Sequence, residues 1–294
     1  MSELGLILAL GCALISGISL LCKHRGANHA PDVVFRTPLR SASALFRSGW
    51  WTAGFGLAAV AWGFHMAALS MAPLSLVQAV IAGGLAMLAL PARHWFGISI
   101  GPREVIGLCL GAAGLAFLAL TAGHGGEGAG STFSEPSMLA FEAGAVALGG
   151  ALMLSSTHSR IAARIDWFLL AAAAGILLGV SNVALKALAE TVPASPASIA
   201  SPLTLVAILG GVGTFLAFAR SLQLGDAVAV IVVSSVTTTL AAIAGGVLVY
   251  GDEIGSDPGA VIARSTAFIA VIAAAALLPM VPSADRAVPT AQRA

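Results

Sequence analysis

Charged side chains are scarce in this chain of 294 residues, where Asp, Glu, Lys and Arg together make up 9%. Soluble domains carry about a quarter charged residues, so the composition excludes an ordinary water-soluble protein. The net charge is only +1, which argues against a nucleic-acid partner because binding to phosphates requires a basic surface. Hydrophobic residues account for 58% of the chain, and this predicts an integral membrane protein.

Catalytic and metal-binding patterns are also missing. Cys12, Cys22 and Cys109 have no paired spacing, which excludes a disulfide framework or zinc site and leaves packing as their expected role. The six histidines are scattered, and only His65 is expected away from loops and helix ends. There is no P-loop, no His-Glu-x-x-His motif and no nucleophile beside a base. The sequence therefore predicts no enzyme, no catalytic residue, no metal site and no cofactor.

Long uncharged segments make up most of the chain, and the longest, residues 48–92, has 45 residues without Asp, Glu, Lys or Arg. A spanning helix needs ~20 residues, because the hydrocarbon layer is ~30 Å thick and each residue rises ~1.5 Å. Pro73 disfavours helix continuation, so two helices are predicted to meet in a tight turn there. The N-terminus lacks the basic start of a cleaved signal peptide, and we expect its apolar segment to be retained. Nine spanning helices are predicted, at residues 4–22, 50–72, 74–90, 104–121, 137–155, 167–188, 203–222, 227–250 and 259–279.

Lys and Arg are concentrated in alternate connections between these helices. They occur after helices 1, 3 and 5 and in the C-terminal tail, whereas the connections after helices 4, 6 and 8 contain none. Basic loops favour the cytoplasm, which places the N-terminus outside and the C-terminus inside. We therefore expect a multi-pass protein of the cytoplasmic membrane, with residues 283–294 as a disordered cytoplasmic tail.

The two halves of the sequence resemble each other. The stretch "AALSMAPLSLVQAV" around Pro73 aligns with "RSLQLGDAVAVIVV" around Asp226, at an offset of 153. Upstream, "GISLLCK", ending at Lys23, resembles "GVSNVALK", ending at Lys186, with one residue of slippage. Helices 1–4 therefore correspond to helices 6–9, and helix 5 inverts the second set. The predicted units are a first repeat at 1–136, a linking helix at 137–165 and a second repeat at 166–282. Inverted repeats are typical of secondary transporters.

The order of these motifs resembles the drug/metabolite transporter superfamily, nearest to its EamA-like and NIPA-like branches. The residues that carry the resemblance are "LLCKHRGA" after helix 1, Trp50-Trp51 at the start of helix 2, Ala72-Pro73 and "SLQLGDAVAV". The resemblance implies an all-α membrane protein of inverted repeats. It also implies a secondary transporter or facilitator that moves a small organic metabolite, drug or lipid-linked solute by alternating access.

Two other functions are alternatives. The NIPA-like branch implies transport of magnesium or another divalent cation, but Trp62 and His65 stand where that branch has an acid and an amide. A non-transporting membrane assembly subunit is the second alternative. The expected partners are a small-molecule substrate and the lipid bilayer, without nucleic acid, and a homodimer is compatible with the sequence.

Polar groups inside spanning helices are costly and usually face protein or water, which makes them candidates for the substrate path. His65 shares a helical face with Trp62, although a neutral histidine bonded to a neighbouring helix is the alternative. Asn182 and Lys186 are four residues apart on one face. Lys186 is expected either to attract an anionic or zwitterionic solute or to reach the outer interface. We expect these groups to approach one cavity between the repeats.

Uncharged polar side chains extend this candidate path. Gln78, Ser234 and Thr238 are assigned to it, with hydrogen bonding between helices as the alternative role for the hydroxyl groups. Glu142, early in helix 5, is the candidate for binding a proton or another coupling ion. Its alternatives are an ion pair, with Arg264 as the candidate partner, or a carboxylate at the membrane interface.

Overall fold

The structure, a computed structural model, describes nine ranges of the chain. Within these ranges all regular secondary structure is helical, as the composition predicts. The ranges are residues 2–69, 71, 80–81, 84–96, 101–121, 135–158, 165–191, 200–250 and 258–276. The helices are α1 (Ser2–His29), α2 (Pro38–Phe46), α3 (Gly49–Leu69), a 3-10 helix (Gly84–Leu88), α4 (Ala89–His94), α5 (Pro102–Thr121), α6 (Glu135–His158), α7 (Asp166–Thr191), α8 (Pro202–Leu224), α9 (Ala227–Tyr250) and α10 (Pro258–Ala276).

Five helices in the described part of the chain are long and apolar enough to cross a membrane. They are Leu4–His29, Pro136–Ser156, Asp166–Leu188, Pro202–Leu224 and Ala227–Tyr250. Each contains at least 21 residues, which is about the length that a hydrocarbon layer requires. The chain is therefore an all-helical membrane protein over these residues.

The first predicted helix was too short. It was expected to end at Cys22, but α1 continues through the basic segment to His29. Long basic side chains extend readily from a helix, and Pro31 is the first residue that strongly opposes helix continuation. His24 consequently lies inside a helix, whereas the sequence placed it in a loop.

The first basic connection also contains a helix that the sequence did not predict. Helix α2 has nine residues and begins with Pro38, whose missing N–H is not needed at the first helical position. The backbone N–H of Val34 donates to Ser41 Oγ at 3.0 Å, which holds the preceding segment against α2. Leu45 is fully buried on the inner face, whereas Leu39 is 86% exposed. The helix was missed because it is too short and too basic to resemble a membrane span.

The third predicted helix is not regular along its whole length. Pro73 and Gln78 lie outside the described residues, so the predicted turn at Pro73 stays a prediction. Residues 80–81 are helical, and the chain then forms the 3-10 helix and α4, which ends at His94 rather than at residue 90. Pro91 falls in the first turn of α4, where its missing N–H breaks no helical hydrogen bond.

Each half of the molecule has one central helix. Helix α1 packs against α3 and the 3-10 helix, and α7 packs against α8 and α9. Helix α6 lies beside α7, and α5 packs along α10. Contacts between α1 and α8 join the two halves.

A buried hydrogen bond of α1 recurs at α7. Ser19 Oγ donates to the Gly54 carbonyl oxygen at 2.7 Å, and Ser181 Oγ donates to the Ala207 carbonyl oxygen at 3.0 Å. The two serines are 162 positions apart, and the two acceptors are 153 positions apart. In each half, the bond joins the central helix to a helix that packs against it, which is α3 in the first half and α8 in the second.

Two contacts of small residues recur at the same two offsets. The contact of Gly17 with Leu88 in the first half corresponds to the contact of Gly179 with Ala241 in the second. The contact of Ala13 with Gly84 corresponds to that of Gly175 with Thr237. A Cβ added at Gly179 would lie 2.5 Å from the Ala241 Cβ, so only glycine permits this approach. Close approach of helices at small residues is typical of membrane packing. The central helix of each half therefore contacts its neighbours through corresponding positions.

The turn between α8 and α9 explains the sequence "LGDAV". A Cβ at Gly225 would lie 2.9 Å from the Trp167 Cβ and 2.8 Å from Val230 Cγ2, so a larger residue does not fit. Asp226 Oδ1 accepts the backbone N–H of Val228 at 3.1 Å, which caps the start of α9. The tight turn predicted between these helices is present.

Candidate functional site

Glu142 lies on the buried face of α6. The side chain is 2% exposed, and neither carboxylate oxygen has a hydrogen-bond partner among the described residues. One turn earlier, Met138 is 1% exposed, and two turns later Gly149 meets Leu177 of α7, where a Cβ would lie 2.8 Å from Leu177 Cγ. The face of α6 that carries Glu142 thus contacts α7 on both sides of Glu142, near Met138 and at Gly149.

The surroundings of this face are apolar. Phe141 approaches Gly245 of α9, where a Cβ would lie 3.1 Å from the Phe141 Cζ. Helices α6, α7 and α9 therefore meet close to Glu142. The cluster at this meeting point contains Met138, Val183, Ala187 and Val249, with Phe141, Leu203 and Tyr250 packed against it.

The position of Glu142 differs from one of the two alternatives that the sequence left open, the carboxylate at the membrane interface. A side chain that is 2% exposed is not a carboxylate at a water-accessible interface. The ion pair recorded among the described side chains, between Arg220 and Asp32, does not involve Glu142. Arg264 lies on α10, and because its side chain is not among those described, the ion pair between Arg264 and Glu142 stays a prediction.

Lys186 and Asn182 are both exposed on α7. The Lys186 Nζ lies 3.9 Å from the centroid of the Tyr250 ring, a distance suited to a cation–π interaction. The Tyr250 hydroxyl donates to the Val183 carbonyl oxygen at 3.2 Å, which fixes the ring against α7. Lys186 is therefore oriented by α9 of its own half.

The other half supplies His65 and Trp62, both on α3. His65 is half-buried, whereas Trp62 is 66% exposed. No hydrogen bond described in the structure joins either residue to Asn182 or Lys186. Their approach to a common cavity stays a prediction, as does the role of Gln78, which lies outside the described residues.

The hydroxyl groups assigned to the path bond within their own helix. Ser234 Oγ donates to the Ile231 carbonyl oxygen at 3.1 Å, and Thr238 Oγ1 donates to the Ser234 carbonyl oxygen at 2.7 Å. The Thr238 carbonyl oxygen also lies 2.9 Å from a Cβ placed at Gly179. This part of α9 therefore packs closely on α7, and the assignment of Ser234 and Thr238 to the substrate path stays a prediction.

An aromatic cluster between the halves was not foreseen. Trp51 is 1% exposed, and its ring stands perpendicular to Phe215 of α8 at a centroid distance of 5.7 Å. Phe55 packs on both rings, and the Lys23 Nζ lies 4.4 Å from its centroid. Lys23 and Lys186, which the sequence comparison pairs with one residue of slippage, thus both hold their ammonium group over an aromatic ring.

Gln223 joins α8 to the end of α1. Its Nε2 donates to the carbonyl oxygens of Ala27 and Pro31 at 3.0 and 3.1 Å, and its Oε1 accepts the backbone N–H of Val33 at 3.0 Å. Arg220, one turn earlier, donates to the same Oε1 at 3.1 Å. It also pairs with Asp32 at 2.9 Å, although Asp32 is 79% exposed. Gln223 stands in the quoted repeat motif, but no local pattern identifies partners about 190 positions away in the chain.

Metal-binding clusters are absent from the part of the chain that the structure describes, where no group of three or more His, Cys, Asp or Glu could hold an ion. Cys12 and Cys22 are buried, as their packing role predicts, but Cys109 is exposed. Leu108, Ala112 and Leu115 form the buried face of α5, and Cys109 lies off that face.

Comparison of the chain with protein-family models, with curated proteins and with solved structures found no match. The helices themselves define the class, which is an all-helical membrane protein over the described residues. The resemblance to drug/metabolite transporters stays an interpretation of the sequence motifs.

Proposed function

We propose that this chain is a secondary transporter or facilitator of the cytoplasmic membrane that moves a small organic solute by alternating access. The observation that carries the proposal is the set of contacts shared by the two halves at constant offsets. The bonds of Ser19 and Ser181 are its clearest members. Two halves that pack their central helices through corresponding positions are the architecture from which many secondary transporters are built.

The pairing of α5 with α10 supports the same proposal. These helices occupy corresponding positions in the two halves, as helices 4 and 9 of the predicted order, and they pack against each other. Corresponding elements meet where a pseudo-two-fold axis passes between repeats. We accordingly propose nine spanning helices, with residues 80–94 as part of the third, α6 as the inverting helix, the N-terminus outside and the C-terminus inside.

An organic substrate is favoured over magnesium. Mg²⁺ requires near-octahedral oxygen coordination, usually with one or two carboxylates. Glu142 stands next to an apolar cluster, and no metal-binding group occurs among the described residues. We therefore propose a metabolite, drug or lipid-linked solute, rather than a divalent cation, as the class of substrate.

A stabilisation screen of the purified chain tests this function. Thermal unfolding in detergent is measured with representative amino acids, nucleosides, sugars, lipophilic cations, isoprenoid-linked solutes and MgCl₂. A bound solute at 100 times its Kd stabilises a protein by about 2.7 kcal/mol, which such a screen detects. We expect one class of organic solute to stabilise the chain and to be taken up by proteoliposomes. Magnesium uptake without any organic hit would overturn the proposal.

A further inference from the structure

We propose that Glu142 is a proton-binding site within the membrane and that it carries its proton in the conformation described here. The geometry carries this inference. The carboxyl group is 2% exposed, both of its oxygens lack a partner in the described part of the chain, and its face of α6 contacts α7 on both sides of it. As a coupling site for transport it rests on the proposed function, whereas proton binding itself does not.

The first step is the cost of the charge. An isolated carboxylate buried in an apolar environment loses far more hydration free energy than the neutral acid does. A counter-ion or several N–H donors would offset that loss, but the structure describes neither at Glu142. The neutral acid is the form that fits this environment.

The second step concerns the neighbouring titratable groups on every helix that packs against α6. On α7, Lys186 is exposed with its ammonium over Tyr250, Asp166 lies at the far end of the helix, and the side chain of Glu190 is not among those described. On α9, the Tyr250 hydroxyl donates to the Val183 carbonyl oxygen. On α8, Arg220 pairs with Asp32. None of these groups forms a described hydrogen bond or ion pair with Glu142.

The third step separates a proton from a metal cation. Met138, one turn before Glu142, packs with Val183 and Ala187, so the adjoining surface offers methyl and methylene groups. A dehydrated metal ion needs several oxygen ligands, whereas a proton needs one carboxyl oxygen. The surroundings of Glu142 therefore suit the smallest cation.

The fourth step is the contrast with the other buried glutamate of the described chain. Glu104 is 4% exposed, but its Oε2 accepts the backbone N–H of Gly101 at 2.8 Å near the start of α5. An N–H donor and a helix N-terminus both stabilise a carboxylate. Because no N–H donor or counter-ion is described at Glu142, a leucine there would suit the fold at least as well. A purely structural role does not explain the acid.

Release of the proton requires a change in the packing around α6. Gly149, on the same face of α6 as Glu142, contacts Leu177 of α7, and Phe141 contacts Gly245 of α9. Movement of α6 relative to these helices would admit water and favour the carboxylate. In a transporter that alternates between two openings, such a site loads and releases its proton on opposite sides.

Infrared difference spectroscopy of the full chain tests the protonation state. The spectrum of Glu142→Gln is subtracted from that of the wild type at neutral pH, with Glu104→Gln as the matched control. We expect the Glu142 difference to show the C=O stretching band of a carboxylic acid without a hydrogen bond. The Glu104 difference should show carboxylate bands only. Glu142→Leu is the second variant, and it should lose the same band while remaining folded.

Dicyclohexylcarbodiimide labelling provides a chemical readout of the same site. The acid protonates the carbodiimide nitrogen and its oxygen adds to the central carbon, and the O-acylisourea rearranges to a stable N-acylurea without loss of atoms. Mass spectrometry should place this adduct on Glu142 and not on Glu104, and the adduct should be lost in Glu142→Gln. The protonation assay needs no substrate, so failure of the transport proposal would leave its result unchanged.

Two results would overturn the inference. Carboxylate bands alone in the Glu142 difference spectrum would show that the group is ionised. Conversion of the acid band into carboxylate bands by Na⁺ or Mg²⁺, at constant ionic strength and pH, would identify a metal-cation site instead.

Discussion

The Ser181 hydroxyl donates to the carbonyl oxygen of Ala207 at 3.0 Å, inside the face where α7 packs on α8. Its counterpart in the first half is the bond from Ser19 to Gly54, at 2.7 Å between α1 and α3. Each serine is no more than 4% exposed, so water does not compete for its hydrogen bond. These bonds fix the position of the central helix along its neighbour in both halves.

Removal of either hydroxyl should lower the free energy of unfolding, because it removes a hydrogen bond between two helices of that half. Hydrogen bonds between membrane helices contribute about 0.6 kcal/mol on average, and at most about 1.7 kcal/mol. We expect losses in this range for Ser181→Ala and for Ser19→Ala in SDS-unfolding titrations. The effects should add within about 0.5 kcal/mol in the double variant, because the sites share no partner.

Ser155→Ala is the matched control for these variants. Ser155 is exposed, and its hydroxyl donates to the Leu152 carbonyl oxygen of its own helix at 2.8 Å. Its replacement should leave the unfolding curve unchanged. If Ser181→Ala behaved like this control, packing alone would hold α7 on α8.

Gly179→Ala should destabilise the contact of α7 with α9. The new Cβ would lie 2.5 Å from the Ala241 Cβ and 2.9 Å from the Thr238 carbonyl oxygen, so the helices must separate. Overpacking of this kind costs about 1–3 kcal/mol. Gly211→Ala on α8 is the control, since a Cβ there meets nothing within 4 Å and should be neutral or stabilising. Equal stability of the two variants would contradict the described packing.

The proposed orientation can be tested by labelling in whole cells. In a background without Cys12, Cys22 and Cys109, an impermeant thiol reagent should modify a cysteine at Ser131 but not one at Ser43. Ser43 is exposed on α2, in the connection that basic residues assign to the cytoplasm. Permeabilised cells provide the control, in which the Ser43 position should become labelled. The reverse pattern in intact cells would invert the topology.

Lys186→Ala should weaken the binding of an anionic or zwitterionic solute identified in the stabilisation screen. A hydrogen bond to a charged group contributes about 1.5–3 kcal/mol, which corresponds to roughly ten- to a hundredfold in affinity. Lys186→Arg should retain most of the affinity, and Tyr250→Phe, which keeps the ring but removes the hydroxyl that fixes it against α7, should have a smaller effect than Lys186→Ala. Unchanged affinity with normal expression would assign Lys186 to the membrane interface.

Magnesium should neither stabilise the chain selectively nor enter proteoliposomes through it. Trp62 and His65 supply no carboxylate in α3, and imidazole suits transition metals better than magnesium. Uptake is measured with a magnesium-sensitive dye trapped inside the vesicles, and empty vesicles provide the baseline. Magnesium uptake that Glu142→Gln abolishes would show that Glu142 replaces the missing acid and would also exclude the proton site.

The sequence predicted most helices because their signals are local. An apolar run about as long as the hydrocarbon layer is thick identifies a spanning segment without reference to the rest of the chain. Helix α9 has the predicted bounds, and the Gly225-Asp226 turn before it follows from a small residue and a cap. Helix α1 continues beyond the end of its apolar run, and α2 is too short to be recognised as a spanning segment.

The partners of individual side chains were decided only by the tertiary structure. Most helices of this chain carry apolar and small residues on every face. The sequence therefore does not indicate how each helix is rotated about its axis. That rotation buries Glu142 without a hydrogen-bond partner among the described residues, exposes Cys109 and brings Gln223 to the end of α1. Helix rotation is set by the packing of side chains from distant segments, such as Gly179 on Ala241, and this information lies in pairs of residues rather than in any single stretch.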